Sequence, residues 1–517
     1  MIARLAGGEK GVMGRGVARN RWRALVAACI AGVLLLPVGM ADARRKVEYT
    51  PGSPGLGDSY YPLYGNGGYR VRHYGLKIRY NPGTDRLIGR ARIKAVARKD
   101  LSRFNLDFKG LNLSSITVNG AGARWKRRRG HELLITPRQG LRKGGAFSVV
   151  ASYAGTPKLL KGPLGEGGVF RTDDGALILG QPQVAATWFP VNDHPSDKAT
   201  YTIRLRVPAG LEAISNGRLE KRSRSGGWST WTWSGGGKMA SYLATAAIGQ
   251  FDIRRRTTSD GIPVLDAVDS RIGDRSHRVL AKEEAIVRFL RRRFGPYPFS
   301  ALGGIVERHD LGFALETQTR PVYDSIIFTE FGNAFATSFV VHELAHMWYG
   351  DSVAVRDWRH IWLNEGPATY AEWLWSGARG GDRPRQIFTS LCSRRSRSDF
   401  WDLKTGDPGP RNLFDFEAVY LRGAMTLHAL RRAVGPEIFF DIMRGWTAER
   451  RGGKGSTAQF KALAESLSGR QLDGLFRQWL FRAAKPRACR RAHNAAGASP
   501  QRPPLGFARR TTLEKGT

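Results

Sequence analysis

A chain of 517 residues, 41% hydrophobic and 10% aromatic, has room for two or three packed domains and is not a low-complexity or fully disordered protein. Its formal net charge of +38, from 82 Lys and Arg against 44 Asp and Glu, is extreme. Basic clusters such as Arg127-Arg128-Arg129, Arg254-Arg255-Arg256 and Arg291-Arg292-Arg293 recur along the whole chain with no basic-aromatic module or recognition motif. They read as an Arg-rich solvated surface and argue against a specific nucleic-acid interface. The partners such charge favours are acidic cell-envelope polymers and anionic lipid.

The N-terminus reads as an export signal. Arg15, Arg19, Arg21 and Arg23 precede an apolar stretch from Ala24 to Met40, and Ala41-Asp42-Ala43 offers an A-x-A cleavage site, giving a mature start at Arg44. The stretch is about 17 residues, the lower edge for a membrane span, so an uncleaved anchor that would hold the protein at a membrane is the alternative. Val26-Ala27-Ala28-Cys29 resembles a lipoprotein cleavage box but precedes most of the apolar run. Cleavage leaves Cys392 and Cys489, which in an exported protein can bond or stay apart. Neither has a CxxC neighbour.

Residues 44–69, rich in Gly, Pro and Tyr, read as an extended lead-in. From residue 70 to about 250 the period is two. Tyr74, Leu76, Ile78 and Tyr80 alternate with polar residues, Asn81-Pro82-Gly83 makes a turn, and Phe104, Leu106 and Phe108 repeat the pattern, as do Tyr201, Ile203, Leu205 and Val207. This predicts an N-terminal antiparallel β domain. After Phe251 the period shifts towards helix. Helices are expected over 282–294, stopped by Gly295-Pro296, then over 418–434, 436–450, 457–467 and 472–484. A second domain over 251–486 follows from this, and 487–517, rich in Pro, Arg, Ala and Gly, reads as a basic disordered tail.

The chemistry is concentrated in His342-Glu343-Leu344-Ala345-His346 and in Glu365, with eighteen residues between His346 and Glu365. An α-helix turns 100° per residue, so His342 and His346 project from one face, one turn apart. Phe335, Phe339, Val340, Leu344 and Met347 supply the apolar face of such a helix, and Gly350 suits its stop. Two imidazoles and one carboxylate form a three-ligand Zn²⁺ site with a position open for water, and Glu343 lies beside it as a base. The second segment, 364–375, also reads as a helix and carries Glu365 and Glu372 seven residues apart on one face. His131-Glu132 is followed by Leu133, Leu134 and Ile135, not by a second histidine; it lies in a strand-like stretch and is set aside as a decoy.

The stretch HELAHMWYGDSVAVRDWRHIWLNEGPATYAE, from His342 to Glu372, is similar without a gap to the zinc segment of the M1 zinc aminopeptidases, gluzincins related to aminopeptidase N. The resemblance extends over roughly 71–486. It implies a multidomain α+β protein: the antiparallel β domain followed by a thermolysin-like, mainly helical zinc catalytic domain, with the substrate cleft between them. Phe313-Ala314-Leu315-Glu316-Thr317 stands where the family carries its GAMEN motif, which implies that Glu316 binds the substrate α-amino group. A carboxylate there pairs with an ammonium and rejects substrates lacking one. The replacements at Phe313, Leu315 and Thr317 bear on substrate size. Tyr420-Leu421-Arg422-Gly423 resembles the family's Tyr-x-Lys-Gly, implying that Tyr420 donates to the oxyanion. Gln181-Pro182-Gln183 precedes Phe189-Pro190, and Gln183 matches the residue that helps hold the substrate N-terminus, although the spacing to Pro190 is about two residues short. Glu372 is expected to orient a ligand or a substrate group.

The resemblance thus implies a zinc aminopeptidase holding one Zn²⁺ and acting on peptides with free N-termini; with the N-terminal signal, it is expected to be exported. The helical domain that follows the catalytic domain in longer relatives is expected to be missing, which implies a more open cleft. Two alternatives stand beside it: a gluzincin endopeptidase needing no free amine, and a non-catalytic envelope-binding zinc protein. An epoxide-hydrolase activity is left open by the same residues.

Overall fold

Alternation of apolar and polar residues builds the first half of the chain, and its phase is set locally. Strand Tyr69–Asn81 buries Tyr69 and Val71, then Tyr74, Leu76, Ile78 and Tyr80. The buried side moves from odd to even positions because the pairing with strand Arg86–Ala97 shifts register between Val71 and His73. These two strands sit at the centre of an eight-stranded sheet, flanked on one side by Thr200–Pro208 and on the other by Ala146–Gly155. A four-stranded sheet containing Leu101–Asp107 and Glu132–Thr136 packs on it through aromatic contacts. Phe104 meets Tyr69 and Phe147 at ring-centroid distances of 5.6 and 5.3 Å.

The computed structural model describes residues 47–163 and 165–489; the expected export signal and most of the expected tail lie outside them. The described residues from Glu48 onward form one compact unit. The lead-in is held at several points. Thr50–Pro51 pairs with Leu101–Asp107, Ser59 bonds Asp357 through backbone and hydroxyl, and the Tyr60 hydroxyl donates to Asp407.

The shift to helix comes later than the sequence suggests. Phe251–Thr257 and Pro263–Asp269 are strands, in a five-stranded sheet with Ile305–Glu307, Val322–Asp324 and Ala314–Leu315. From Val264 to Asp269 every residue is buried, so no alternation marks that strand. The helices that matter for the site are α1 (Glu283–Phe294), α2 (Asn333–Ala345), α3 (Trp362–Ala378), α4 (Arg422–Val434) and α5 (Pro436–Glu449). Gly295 ends α1 at φ 93°, as its sequence predicts. The last expected helix ends at Leu480, short of Ala484; the Lys485-Pro486 pair follows, and a residue before proline disfavours helix. Cys392 and Cys489 form a disulfide, with their Cα atoms 4.9 Å apart.

Candidate active site

Helix α2 is a core helix. From Phe339 to Ala345 every residue is buried, so the polar groups of His342 and Glu343 must find partners inside the protein. His346 follows as the cap residue, still in helical conformation, and keeps its place one turn after His342. Gly350 then turns the chain at φ 123°. A Cβ there would stand 3.3 Å from Asn364 Nδ2 and 3.4 Å from His346 Nδ1, so glycine is required for conformation and for space.

Helix α3 supplies Glu365 and Glu372. Glu365 Oε2 lies 3.3 Å from His342 Nε2 and 3.4 Å from His346 Nε2, and all three residues are buried. The opposite ring nitrogens are already engaged: His342 Nδ1 is 2.7 Å from Glu372 Oε1, and His346 Nδ1 is 2.9 Å from the Tyr349 carbonyl. With Nδ1–H donating outward, both Nε2 lone pairs face the Glu365 oxygen. Three lone-pair atoms within 4.8 Å of one another repel unless a cation joins them. Tetrahedral zinc bonds of about 2.0–2.1 Å place ligand atoms roughly 3.3–3.4 Å apart, which matches the separations of Glu365 from each histidine. The donor set therefore fits zinc, and the outer contacts are those that fix a ligating imidazole.

Glu343 points into the same cluster. Its carboxylate, that of Glu316 and a ring nitrogen of His346 lie within 4.8 Å of one another. Burial pushes Glu343 up to about 7, against the pull of His342 and His346. Glu316 follows the short edge strand Ala314–Leu315 and is buried. Its Oε1 accepts from the Tyr242 hydroxyl at 3.1 Å and the Gln181 side-chain amide at 3.3 Å. Gln183 is half-buried, and its Nε2 has no hydrogen-bond partner; the contact to Glu316 belongs to Gln181, two residues earlier. Tyr242 carries no sequence signal, because its contact spans 74 residues and no local pattern marks it.

Tyr420 reaches the site from a single π-helical turn, Phe416–Leu421, ahead of α4 where an ordinary helix start is expected. Its ring stacks on His342 at a centroid distance of 5.7 Å and 17° between planes. Close packing makes this possible. A Cβ on Gly423 would lie 2.9 Å from Gly366 Cα, so α3 and α4 cross backbone to backbone at the residues next to Glu365 and Arg422. Arg422 is fully buried and donates to the carbonyls of Leu403 and Arg482, which gives it an anchoring place in the helix packing. A cavity of about 750 Å³ between α1, α2 and α3, lined by Phe335, Ser338, Trp373 and Trp375, meets the site only at Glu372.

A family model described as "Peptidase family M1 domain" matches residues 311–479, and one described as "Peptidase M1 N-terminal domain" matches residues 70–243. The chain belongs to peptidase family M1. Aminopeptidase M1 of Arabidopsis thaliana is 26% identical over 330 residues, 60% of this chain and 37% of that protein. Aminopeptidase N of Streptomyces lividans is 25% identical over 336 residues, 60% of this chain and 38% of that protein. The chain thus spans less than two fifths of the length of these curated relatives. The crystal structure of an M1 zinc metallopeptidase from Deinococcus radiodurans superimposes with a TM-score of 0.74 at 29% identity, covering 82% of this chain and 97% of that one. A variant of that enzyme bound to a Tyr-Ser-Ala substrate gives 0.75 at 28% identity, with the same coverage.

Proposed function

We propose that this M1 protein is an exported, zinc-dependent aminopeptidase that removes single residues from the free N-termini of peptides. The observation that carries the reading is Glu316: a carboxylate buried beside Glu343 and His346, held on one oxygen by Tyr242 and Gln181. Such a group anchors an ammonium next to the ligand cluster and places the first peptide bond over it. An endopeptidase has no use for a buried negative charge at that point.

His342, His346 and Glu365 would hold the Zn²⁺, which when bound supplies Lewis acidity towards the scissile carbonyl and the attacking water. Glu343 takes a proton from that water as its oxygen adds to the carbonyl carbon. It then gives the proton to the nitrogen of the departing peptide as the C–N bond breaks. Tyr420 donates a hydrogen bond to the oxyanion that forms. Glu372 keeps the Nδ1 proton of His342 directed away from the cluster. Export is supported by the basic and apolar N-terminal sequence and by the Cys392–Cys489 bond, which suits an oxidising compartment. Short peptides as substrates are supported by the Tyr-Ser-Ala complex of the structural relative.

Turnover of a panel of aminoacyl fluorogenic substrates, each beside its N-acetylated form and with and without chelator, tests the reading. Cleavage of the free forms only, abolished by chelator and restored by Zn²⁺, is expected; chelator-resistant turnover contradicts it. Tyr420→Phe is expected to keep fold and metal and to lower kcat by about 10²–10³-fold with little change in KM, since the lost bond serves charge present only in the transition state. A change confined to KM would make Tyr420 a binding residue.

A further inference from the structure

The His131-Glu132 string, set aside in the sequence for want of a second histidine, lies in a buried polar cluster remote in sequence from the catalytic residues. Strand Leu101–Asp107 pairs antiparallel with Glu132–Thr136, and the register places Asp107 opposite Glu132. Asp107 is 0%, Glu132 2% and His131 8% exposed. One oxygen of each carboxyl is engaged. Asp107 Oδ2 accepts from Asn66 Nδ2 at 3.1 Å and from the Asp193 backbone N–H at 2.8 Å, and Glu132 Oε2 accepts from Asn105 Nδ2 at 2.7 Å. The other two oxygens, Asp107 Oδ1 and Glu132 Oε1, have no hydrogen-bond partner. They lie 3.9 and 3.8 Å from His131 Nε2. Among the described residues no Lys or Arg nitrogen lies within 4.0 Å of either carboxyl, and the Arg129 charge acts on Glu132 only from farther away.

Both nitrogens of the His131 ring face carbonyl oxygens: Nδ1 is 3.1 Å from Arg129 O and Nε2 is 3.2 Å from Leu63 O. A neutral imidazole carries one N–H, so one of these contacts sets a lone pair against a carbonyl oxygen. A second ring proton would satisfy Leu63 O but not the two carboxyl oxygens, because 3.8–3.9 Å is outside hydrogen-bond range. A metal cation answers all four atoms at once, while Nδ1–H stays on Arg129 O as the outer contact of a ligating imidazole. The separations are wider than the edge of a zinc tetrahedron. A six-coordinate ion with bonds of about 2.2–2.4 Å sets donors roughly 3.1–3.4 Å apart in cis and roughly 4.4–4.8 Å in trans. The Leu63 oxygen at 3.2 Å from Nε2 matches a cis pair, and the two carboxyl oxygens at 3.9 and 3.8 Å stand between the two spacings, within a short inward movement of cis. Three oxygens favour a hard ion, and the imidazole favours a transition metal over Mg²⁺ or Ca²⁺.

We propose that Asp107, His131, Glu132 and the Leu63 carbonyl form a second divalent-cation site, of Mn²⁺ type, separate from the catalytic cluster. Burial raises Glu132 to about 7, and burial together with the charges of Asp193 and Glu132 lifts Asp107 well above the carboxylate range, so the pair gains from a cation. The site has a structural purpose. Leu63 belongs to the lead-in, and the ring of Tyr64 stacks on His131 at 4.3 Å. The same lead-in bonds Asp357 and Asp407 through Ser59 and Tyr60. An ion here fastens the small sheet to the segment that reaches the helical half.

The test counts metal in a protein whose catalytic ligand set is broken. His346→Ala protein, dialysed against chelator and titrated with Mn²⁺, is expected to bind one Mn²⁺ per chain and to melt at a higher temperature when it does. Glu132→Gln in that background keeps the Asn105 contact and removes the charge; it is expected to weaken Mn²⁺ binding by about tenfold or more and to abolish the shift in Tm. Asp107→Asn is expected to do the same. Absence of Mn²⁺ binding by His346→Ala protein overturns the proposal. So does undiminished binding with Glu132→Gln, which decides alone if Asp107→Asn fails to fold.

Discussion

Glu343→Gln is expected to retain its metal and to lose hydrolysis by about 10²–10⁴-fold or more. The substitution keeps the size of a buried side chain and leaves His342, His346 and Glu365 untouched. It removes only the capacity to hold and return a proton. Glu343 suits that task by position, since its carboxylate shares a 4.8 Å cluster with His346 and Glu316 in the buried C-terminal half of its helix. Metal content and kcat, measured on the same purified variant, decide the matter. Near-normal turnover in a metal-loaded Glu343→Gln protein would remove Glu343 from the mechanism.

His346→Ala and Glu365→Ala are expected to lose catalytic metal and activity together. The Glu365 oxygen bridges the two imidazoles at 3.3 and 3.4 Å, so its loss leaves two ligands and no anionic donor among them. Truncating His346 also strands the Tyr349 carbonyl that its Nδ1–H now meets. Zinc binding and peptide turnover, compared with the native protein, are the readouts. Full zinc occupancy of the catalytic site in Glu365→Ala would show that the third ligand lies elsewhere.

The parts of this structure that were legible in the sequence are those fixed by local period. The strand through Tyr74, Leu76, Ile78 and Tyr80 and the helix ended by Gly295 follow from side-chain alternation and capping. His342, His346, Glu365 and Glu372 meet because 3.6-residue spacing puts them on facing sides of two helices. What escaped depends on distant contacts or on backbone irregularity. Val264 to Asp269 has no alternation because both of its faces are covered. The π turn that presents Tyr420 differs from an α turn by one residue and leaves no mark on composition. Gln181 and Tyr242 reach Glu316 across 135 and 74 residues, and Cys392 meets Cys489 across 97. A motif rule that looks only along the chain passes over His131, whereas its carboxylate neighbour Asp107 comes from the facing strand.

The proposed role of Glu316 separates an aminopeptidase from an endopeptidase, and one comparison of kcat/KM tests it. A single peptide, free and N-acetylated, is assayed on the native enzyme and on Glu316→Ala. Acetylation removes the ammonium and sets a neutral amide against a buried carboxylate, a charge-assisted contact worth about 1.5–3 kcal/mol before desolvation is added. The account predicts that native enzyme cleaves the free peptide and leaves the acetylated one essentially intact. It predicts that Glu316→Ala loses roughly tenfold to hundredfold on the free peptide and narrows the gap between the two. Equal kcat/KM for the free and acetylated peptides on the native enzyme would contradict it.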